Sequence, residues 1–415
     1  MSLNDTTRGN RLHIGLFGRR NAGKSSLINA LTSQRVAAVS AVPGTTTDPV
    51  YKAMEISGIG PVVFIDTAGF DDEGELGCLR VARTEEIIRE TDIALLLFAG
   101  EDMREELRWR EVFQRQNTPV IMLVNAIDER PDGGRQLADM VEQATGSRPL
   151  LVSAQKKQGL EQLRQEILSV LPEDYEQLSI TGDLCKAGDT VVLVMPQDIQ
   201  APKGRLILPQ VQTLRELLDK GCLPLCCTTD RLAAALAELK EPPRLLITDS
   251  QAFKEAYALT PENTLLTSFS VLFAAFKGDM EYFLRGAAAL LNLAPTAHIL
   301  IAEACTHKPL QEDIGRVKLP RLLRKKIGDG LQLDIVSGKD FPRDLTGYDM
   351  VIHCGACMFN RKYVLNRVRA AGEQGIAMTN YGLAIAALLG ILPMVALPNG
   401  KKYVTMKGEL ENTAD

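Results

Sequence analysis

The chain has 415 residues, too many for one hydrophobic core, so two or three domains are expected. Its hydrophobic share of 45% and charged share of 24% are those of an ordinary water-soluble globular protein. A net charge of −5 argues against a whole-chain nucleic-acid binder and leaves only local basic patches for such contacts.

No long apolar stretch precedes the first strand, so no signal peptide is expected. Segments 12–17, 62–66, 93–98, 120–124 and 150–152 are apolar runs that predict strands, with amphipathic stretches between them, an α/β pattern. Leu171-Pro172 and the polar residues after them close a first domain, 1–173. A second, small α/β series fills 174–265, with strands expected over Val191–Met195, Leu223–Cys227 and Arg244–Thr248. Helices are expected over Val211–Lys220 and Arg231–Lys240. This stretch has no His, and Cys185, Cys222, Cys226 and Cys227 read as core packing. A third domain, 266–415, begins with helical patterns over Phe269–Phe276 and Met280–Leu291. The strand-like runs His298–Ala302 and Asp349–His353 follow. The apolar stretch Gly382–Pro398 is interrupted by Pro393, too short for a bilayer, and predicts a buried helix. No internal repeat stands out. A cytoplasmic protein without a membrane span is expected, so clustered cysteines point to metal binding or catalysis rather than disulfides.

Gly18-Arg-Arg-Asn-Ala-Gly-Lys-Ser25 fits the phosphate-loop pattern GxxxxGKS and sits between a strand-like run and a helical one, as that motif requires. Its glycines let backbone N–H groups turn toward phosphates. Gly18, Asn21, Ala22, Gly23, Lys24, Ser25 and Ser26 are therefore expected at the nucleotide. Lys24 reaches the β- and γ-phosphates, and Ser25 offers its hydroxyl to Mg²⁺. Asp66-Thr-Ala-Gly69 ends a second strand, with Asp66 expected to hold Mg²⁺ through water and the Gly69 N–H to face the γ-phosphate. Pro43-Gly-Thr-Thr-Thr-Asp48 lies between the two, and Thr46 is the expected metal threonine. Asn125-Ala-Ile-Asp128 follows another strand. The Asp128 carboxylate can accept from guanine N1 and N2, which selects GTP over ATP. Ser153-Ala154 completes the base site. Lys24, Thr46 and Gly69 are the expected catalytic set for GTP hydrolysis.

Two of the four His and three of the eight Cys fall in two short motifs, Cys305-Thr-His307 and His353-Cys354-Gly-Ala-Cys357. Each follows a strand-like run directly, so each is expected at a strand's carboxyl end, where open α/β sheets place ligands. If the two strands are neighbours, the three thiols converge. Spacing alone leaves two centres open, zinc with a Cys₃His set and a 4Fe-4S cluster with one iron left for a His, a water or an outside ligand. The basic run Arg316, Lys318, Arg321, Arg324, Lys325, Lys326 reads first as a solvated helix face. The alternative is a dock for an anionic precursor or an acidic partner.

The five nucleotide motifs resemble the TrmE–Era–EngA group of GTPases over about 170 residues. In that comparison Ala126 stands where most relatives have Lys. Phe70 replaces the water-orienting Gln of Ras-like enzymes, and Glu73 and Glu75 are candidates to position the water. Asn21 matches the Asn of potassium-activated members, which implies a K⁺ site and K⁺-stimulated hydrolysis. Joined to the CxH…HCxxC signature, the whole chain resembles the HydF family of FeFe-hydrogenase maturation GTPases. The resemblance implies a P-loop GTPase domain, a middle dimerisation domain that makes a homodimer, and a C-terminal iron–sulfur domain. It implies Cys305, Cys354 and Cys357 as ligands of a 4Fe-4S cluster, with His307 and His353 at or near the open iron position. It implies a two-iron subcluster precursor as cargo, the radical-SAM maturases HydE and HydG as donors and apo-hydrogenase HydA as acceptor. The alternative is a zinc-containing TrmE/Era-like GTPase that assists RNA modification or ribosome assembly.

Overall fold

The computed structural model describes residues 11–32, 50–56, 59–67, 86–171, 179–196, 206–304, 314–338, 340–357 and 359–398. The chain divides into two compact units, Met1–Glu176 and Gln177–Asp415.

The first unit is built on one six-stranded sheet. Its strands are β1 (Leu12–Gly18), β2 (Val50–Ile56), β3 (Gly60–Asp66), β4 (Ile93–Phe98), β5 (Val120–Val124) and β6 (Leu150–Leu151). The order is β2-β3-β1-β4-β5-β6, with β2 antiparallel to β3 and every other pair parallel. β1 and β4 are buried at every position. Their unbroken apolar sequences, LHIGLFG and IALLLF, suit strands covered on both faces. β2 is the outer strand and half exposed, and its sequence VYKAMEI, with Lys52 and Glu55, gave no strand signal.

The second unit carries two sheets, each of four parallel strands. One contains β7 (Thr190–Val194), β8 (Leu223–Cys227), β9 (Leu245–Thr248) and β10 (Leu265–Ser268), in the order β10-β9-β7-β8. The other contains β11 (His298–Ala302), β12 (Gln332–Val336), β13 (Met350–His353) and β14 (Ala377–Asn380), in the order β12-β11-β13-β14. Read from β8 and from β12, both sheets run second, first, third, fourth in chain order. The topology is therefore repeated, although no sequence repeat betrays it. In each, the chain leaves the first strand to one side, returns, and crosses to the other. Such a reversal opens a crevice at the strands' carboxyl ends, between β7 and β9 and between β11 and β13.

The two sheets share a core. Val192 and Leu246 of one and Leu300 and Val351 of the other belong to a single apolar cluster that includes Leu284 and Leu383. The helix Tyr381–Leu389 is buried over its first eight residues and stops at Gly390 with φ 75, as the apolar run predicted. The chain then returns to the earlier sheet, where Val395 bridges Leu266 and the Ala396 N–H donates to the Leu266 carbonyl at 2.7 Å. The middle sheet thus runs past the boundary expected at 265, because β10 is its fourth strand. Cys185 and Cys222 are buried as expected, and burial pushes the Cys222 thiol up to about 11. Cys226 is exposed and Leu223 is 62% exposed, because β8 is an outer strand rather than a core one. Among the described residues no helix is long and apolar enough to cross a membrane.

Candidate functional site

In the first unit, Gly18 ends β1 and Lys24 opens the helix Lys24–Thr32. The loop between them turns through Asn21 at φ 61 and Gly23 at φ 82. A Cβ at Gly23 would lie 2.3 Å from Asn125 Nδ2, so the position requires glycine for space as well as for backbone angle. Lys24 is buried, and its Nζ donates to the carbonyls of Gly18 at 2.9 Å and Arg19 at 2.8 Å. Ser25 Oγ donates to Asp66 Oδ2 at 2.5 Å, which joins the two expected Mg²⁺ residues across the β1–β3 pair. Ala22 is buried in the loop and Ser26 is exposed on the first helical turn.

The base-recognition residues follow β5 and β6. Asn125 Nδ2 donates to the carbonyls of Ala22 at 3.3 Å and Gly23 at 3.4 Å, and its Oδ1 accepts from the Ala154 N–H at 3.3 Å. One side chain thus ties the phosphate loop to the base loop. Asp128 is exposed, and its Oδ1 accepts from the buried Ser153 hydroxyl at 2.5 Å, which fixes the carboxylate's direction. Ala126 adopts φ 56, ψ 39 without being glycine. Thr46, Gly69, Phe70, Glu73 and Glu75 lie outside the described residues. The sequence gave no sign of one further contact. Arg19 Nε lies 3.1 Å from Glu106 Oε1 and its Nη2 lies 3.2 Å from Asp102, pinning the phosphate loop to the helix Arg104–Arg115. Glu106 is 1% exposed, and burial pushes its carboxyl up while Arg19 opposes the shift.

In the second unit a cavity of about 200 Å³ opens at the carboxyl ends of both sheets. Asp249 and Ser250 line it after β9, Ser270 and Phe273 after β10, Glu303 after β11, and Cys354 and Cys357 after β13. The middle segment, which offered packing patterns and no chemistry in sequence, therefore forms one wall of the cysteine cavity. The strands that lead into the two motifs are neighbours, with Ala302 in register with His353 on paired β11 and β13. Cys354 Sγ accepts from the Ala304 N–H at 3.0 Å and the Ala356 N–H at 3.4 Å. The second contact follows from a loop that bends through Ala356 at φ 46. Burial pushes the Cys354 thiol up, and the two N–H groups pull the other way. Cys305 and His307 lie outside the described residues, but Cys305 directly follows Ala304.

His353, expected at or near the open iron position, has both ring nitrogens engaged within the protein. Its Nδ1 lies 2.6 Å from the Cys354 carbonyl and its Nε2 lies 2.9 Å from Arg367 Nη1. A carbonyl only accepts and a guanidinium only donates, so Nδ1 carries the proton and neither ring nitrogen is left for a metal. Burial, with Arg367 adding to it, pushes the ring's pKa down to about 3. His353 braces the backbone behind Cys354. Arg367 is itself buried, with its guanidinium 4.6 Å from the rings of both Phe341 and Tyr363, and it donates to the Gly338 carbonyl at 2.6 Å. Glu303, also missed in sequence, accepts from Arg316 Nη2 at 3.1 Å and Ser337 Oγ at 3.0 Å. The basic run divides: Arg316, though exposed, pairs with Glu303 and Ser337, and half-buried Lys318 donates to Gln251, while Arg321, Arg324, Lys325 and Lys326 are exposed on the helix face. Among the described residues no group of three His, Cys, Asp or Glu side chains is gathered at metal spacing. The described donors in the cavity include two thiols, Cys354 and Cys357, and two carboxylates, Asp249 and Glu303, and a thiol pre-set with two N–H partners, as Cys354 is, suits a soft metal centre.

These arrangements define a P-loop GTPase fold followed by a two-sheet α/β unit with a thiol-lined cavity. A family model of the 50S ribosome-binding GTPase matches residues 13–126. Models of the hydrogen maturase F dimerization and tetramerization domains match residues 180–278 and 281–397. The chain belongs to the hydrogen maturase F family. It is also similar to the tRNA modification GTPase MnmE of Desulfotalea psychrophila, 32% identical over 158 residues, 38% of this chain and 34% of that protein. The GTPase Der of a Sulfurihydrogenibium species is 28% identical over 269 residues, 61% of this chain and 54% of that protein. The chain thus spans about a third to a half of these curated relatives. Among solved structures, a variant of Era from Aquifex aeolicus with GDP and AlF₄⁻ overlaps 54% of this chain and 97% of its own, at 20% identity and a TM-score of 0.35.

Proposed function

We propose that this protein hydrolyses GTP in its first unit and matures FeFe-hydrogenase through an iron–sulfur site in its second. The observation that carries the reading is the Cys354 sulfur. It is held by two N–H groups at the carboxyl end of β13, and one of them belongs to the residue immediately before Cys305. Three thiolates, Cys305, Cys354 and Cys357, would hold a 4Fe-4S cluster, which supplies an iron position open to exchangeable ligands. Glu303 offers a carboxylate on the wall of that cavity, and His353 orients Cys354 through its carbonyl. A two-iron subcluster precursor is the cargo, received with HydE and HydG and delivered to HydA.

In the GTPase unit, Lys24 would exchange the Gly18 and Arg19 carbonyls for the β- and γ-phosphates. Ser25, Thr46 and Asp66 would hold Mg²⁺, and Gly69 would donate to the γ-phosphate. Asn125 keeps the base loop in register with the phosphate loop, and Asp128 reads guanine. Asn21 would add K⁺ near the phosphates. Three functional modules follow, for GTP, for a homodimer and for the cluster, the second reaching past 265 to take in β10 and the helix Phe269–Lys277, in a cytoplasmic protein with reduced thiols. The exposed outer strand β8, bearing Leu223, suits pairing with a second copy of the chain.

The test is metal content. Anaerobically prepared protein should be brown and carry iron and sulfide. Serine at Cys305, Cys354 or Cys357 should remove most of both while GTP hydrolysis persists, because a hydroxyl is a poor substitute for a thiolate on iron. Colourless protein with stoichiometric zinc would reject the reading.

A further inference from the structure

Lys277 closes the helix Phe269–Lys277 and is 1% exposed, a costly place for an ammonium unless its protons are well used. Its Nζ donates to the carbonyls of Ala356 at 3.1 Å, Cys357 at 3.3 Å and Phe359 at 2.7 Å. The Phe273 ring lies 5.6 Å from the same ammonium. These carbonyls belong to the loop that presents the thiols. Ala356 divides its backbone between the two sides, with its N–H on the Cys354 sulfur and its carbonyl on Lys277. The loop's carbonyl oxygens are thereby gathered on a buried cation, and N–H groups are left to face sulfur.

The geometry points to Lys277 as a positioning residue of the metal-binding loop. It fixes the backbone at Ala356, Cys357 and Phe359 in the conformation that aims the thiols, and it sets a fixed positive charge on the loop that carries them. This rests on the iron–sulfur reading above. It adds a coupling between modules. Lys277 lies within the stretch matched by the dimerization model and the loop within the stretch matched by the tetramerization model. A shift of the helix from the middle module would therefore be felt at the cysteines.

Full-length Lys277→Met and Lys277→Gln are compared with wild type in three anaerobic measurements. These are Co²⁺ titration followed by thiolate charge-transfer absorption, the reduction potential of the reconstituted cluster, and thermal melting of the second unit as a control on folding. Loss of an outer-shell partner predicts roughly 10–100-fold weaker Co²⁺ binding for Lys277→Met. Loss of the charge predicts a more negative potential in both variants. Lys277→Gln keeps donors for the carbonyls and should recover part of the Co²⁺ affinity but not the potential. Wild-type affinity and potential in a Lys277→Met protein that melts like the parent would overturn the inference. If that variant does not fold, a wild-type potential in Lys277→Gln overturns it equally. Failure of the underlying reading looks different, because wild type itself would then take up no iron.

Discussion

Glu216 uses both of its carboxylate oxygens at the start of the second unit, and Glu216→Gln removes one acceptor while leaving the shape almost unchanged. Oε1 accepts from the Thr181 N–H at 2.8 Å, the Thr181 hydroxyl at 2.7 Å and the Ser179 hydroxyl at 2.9 Å. Oε2 accepts from the Ile180 N–H at 2.5 Å. Ile180 and Thr181 are buried, so water cannot replace a lost partner. Whichever way the amide of the variant turns, its NH₂ meets a backbone N–H. One unsatisfied buried donor and the loss of charge assistance together cost about 2–4 kcal/mol. For a unit of this size that lowers the melting point by about 5–12 °C. The chain's single tryptophan, Trp109, lies in the first unit and provides an internal control. Circular dichroism should show the second unit melting earlier while the tryptophan transition stays in place. A variant melting with wild type would refute the reasoning. The pH dependence has a definite sign. Burial pushes the Glu216 carboxyl up, but the bonds from Thr181, Ile180 and Ser179 outweigh it and hold it below 4.5. Its stabilisation is therefore present above pH 4.5 and lost as pH falls through the folded value, so the gap between the proteins should narrow on acidification.

Asp128→Asn should weaken GTP binding and move preference toward xanthosine nucleotides, since an amide can donate to the xanthine carbonyl; ATP competing as well as GTP in wild type would show the base assignment to be wrong. K⁺ should stimulate hydrolysis more than Na⁺ at matched ionic strength, and Asn21→Ala should erase the difference; equal wild-type rates in the two salts would remove the argument. Leu223→Lys on the outer strand β8 should convert a dimer at micromolar concentration to monomer in sedimentation, with GTP hydrolysis retained. An unchanged dimer would move the interface elsewhere.

The parts that were legible in sequence are those dictated by local chemistry. β1, β3, β4 and β5 carry apolar runs because they are covered on both faces, and Gly18, Gly23 and Lys24 stand where phosphate-loop backbone geometry demands them. Strands without an apolar run were not legible, as β2, β12 and β14 show, whereas the outer β8 and the short β13 carried such a run and were. QLDIV of β12 alternates polar residues, and AMTN of β14 is too brief to carry a period. The repeated sheet order was hidden because topology was kept and residue identity was not. Lys277 and the loop it holds are about 80 positions apart, and nothing local in FSVLFAAFK says where its last residue points. His353 was expected at or near the open iron position, and only the fold reveals that the Cys354 carbonyl and Arg367 occupy both ring nitrogens.

The central claim joins a GTPase to a thiol-held metal site that serves hydrogenase maturation. The most direct measurement incubates purified, cargo-loaded protein with apo-FeFe-hydrogenase and reads hydrogen evolution, using wild type and Cys354→Ser in parallel. Wild type should activate the hydrogenase, whereas Cys354→Ser should fail despite an unchanged GTPase rate. Equal activation by the two proteins would contradict the account.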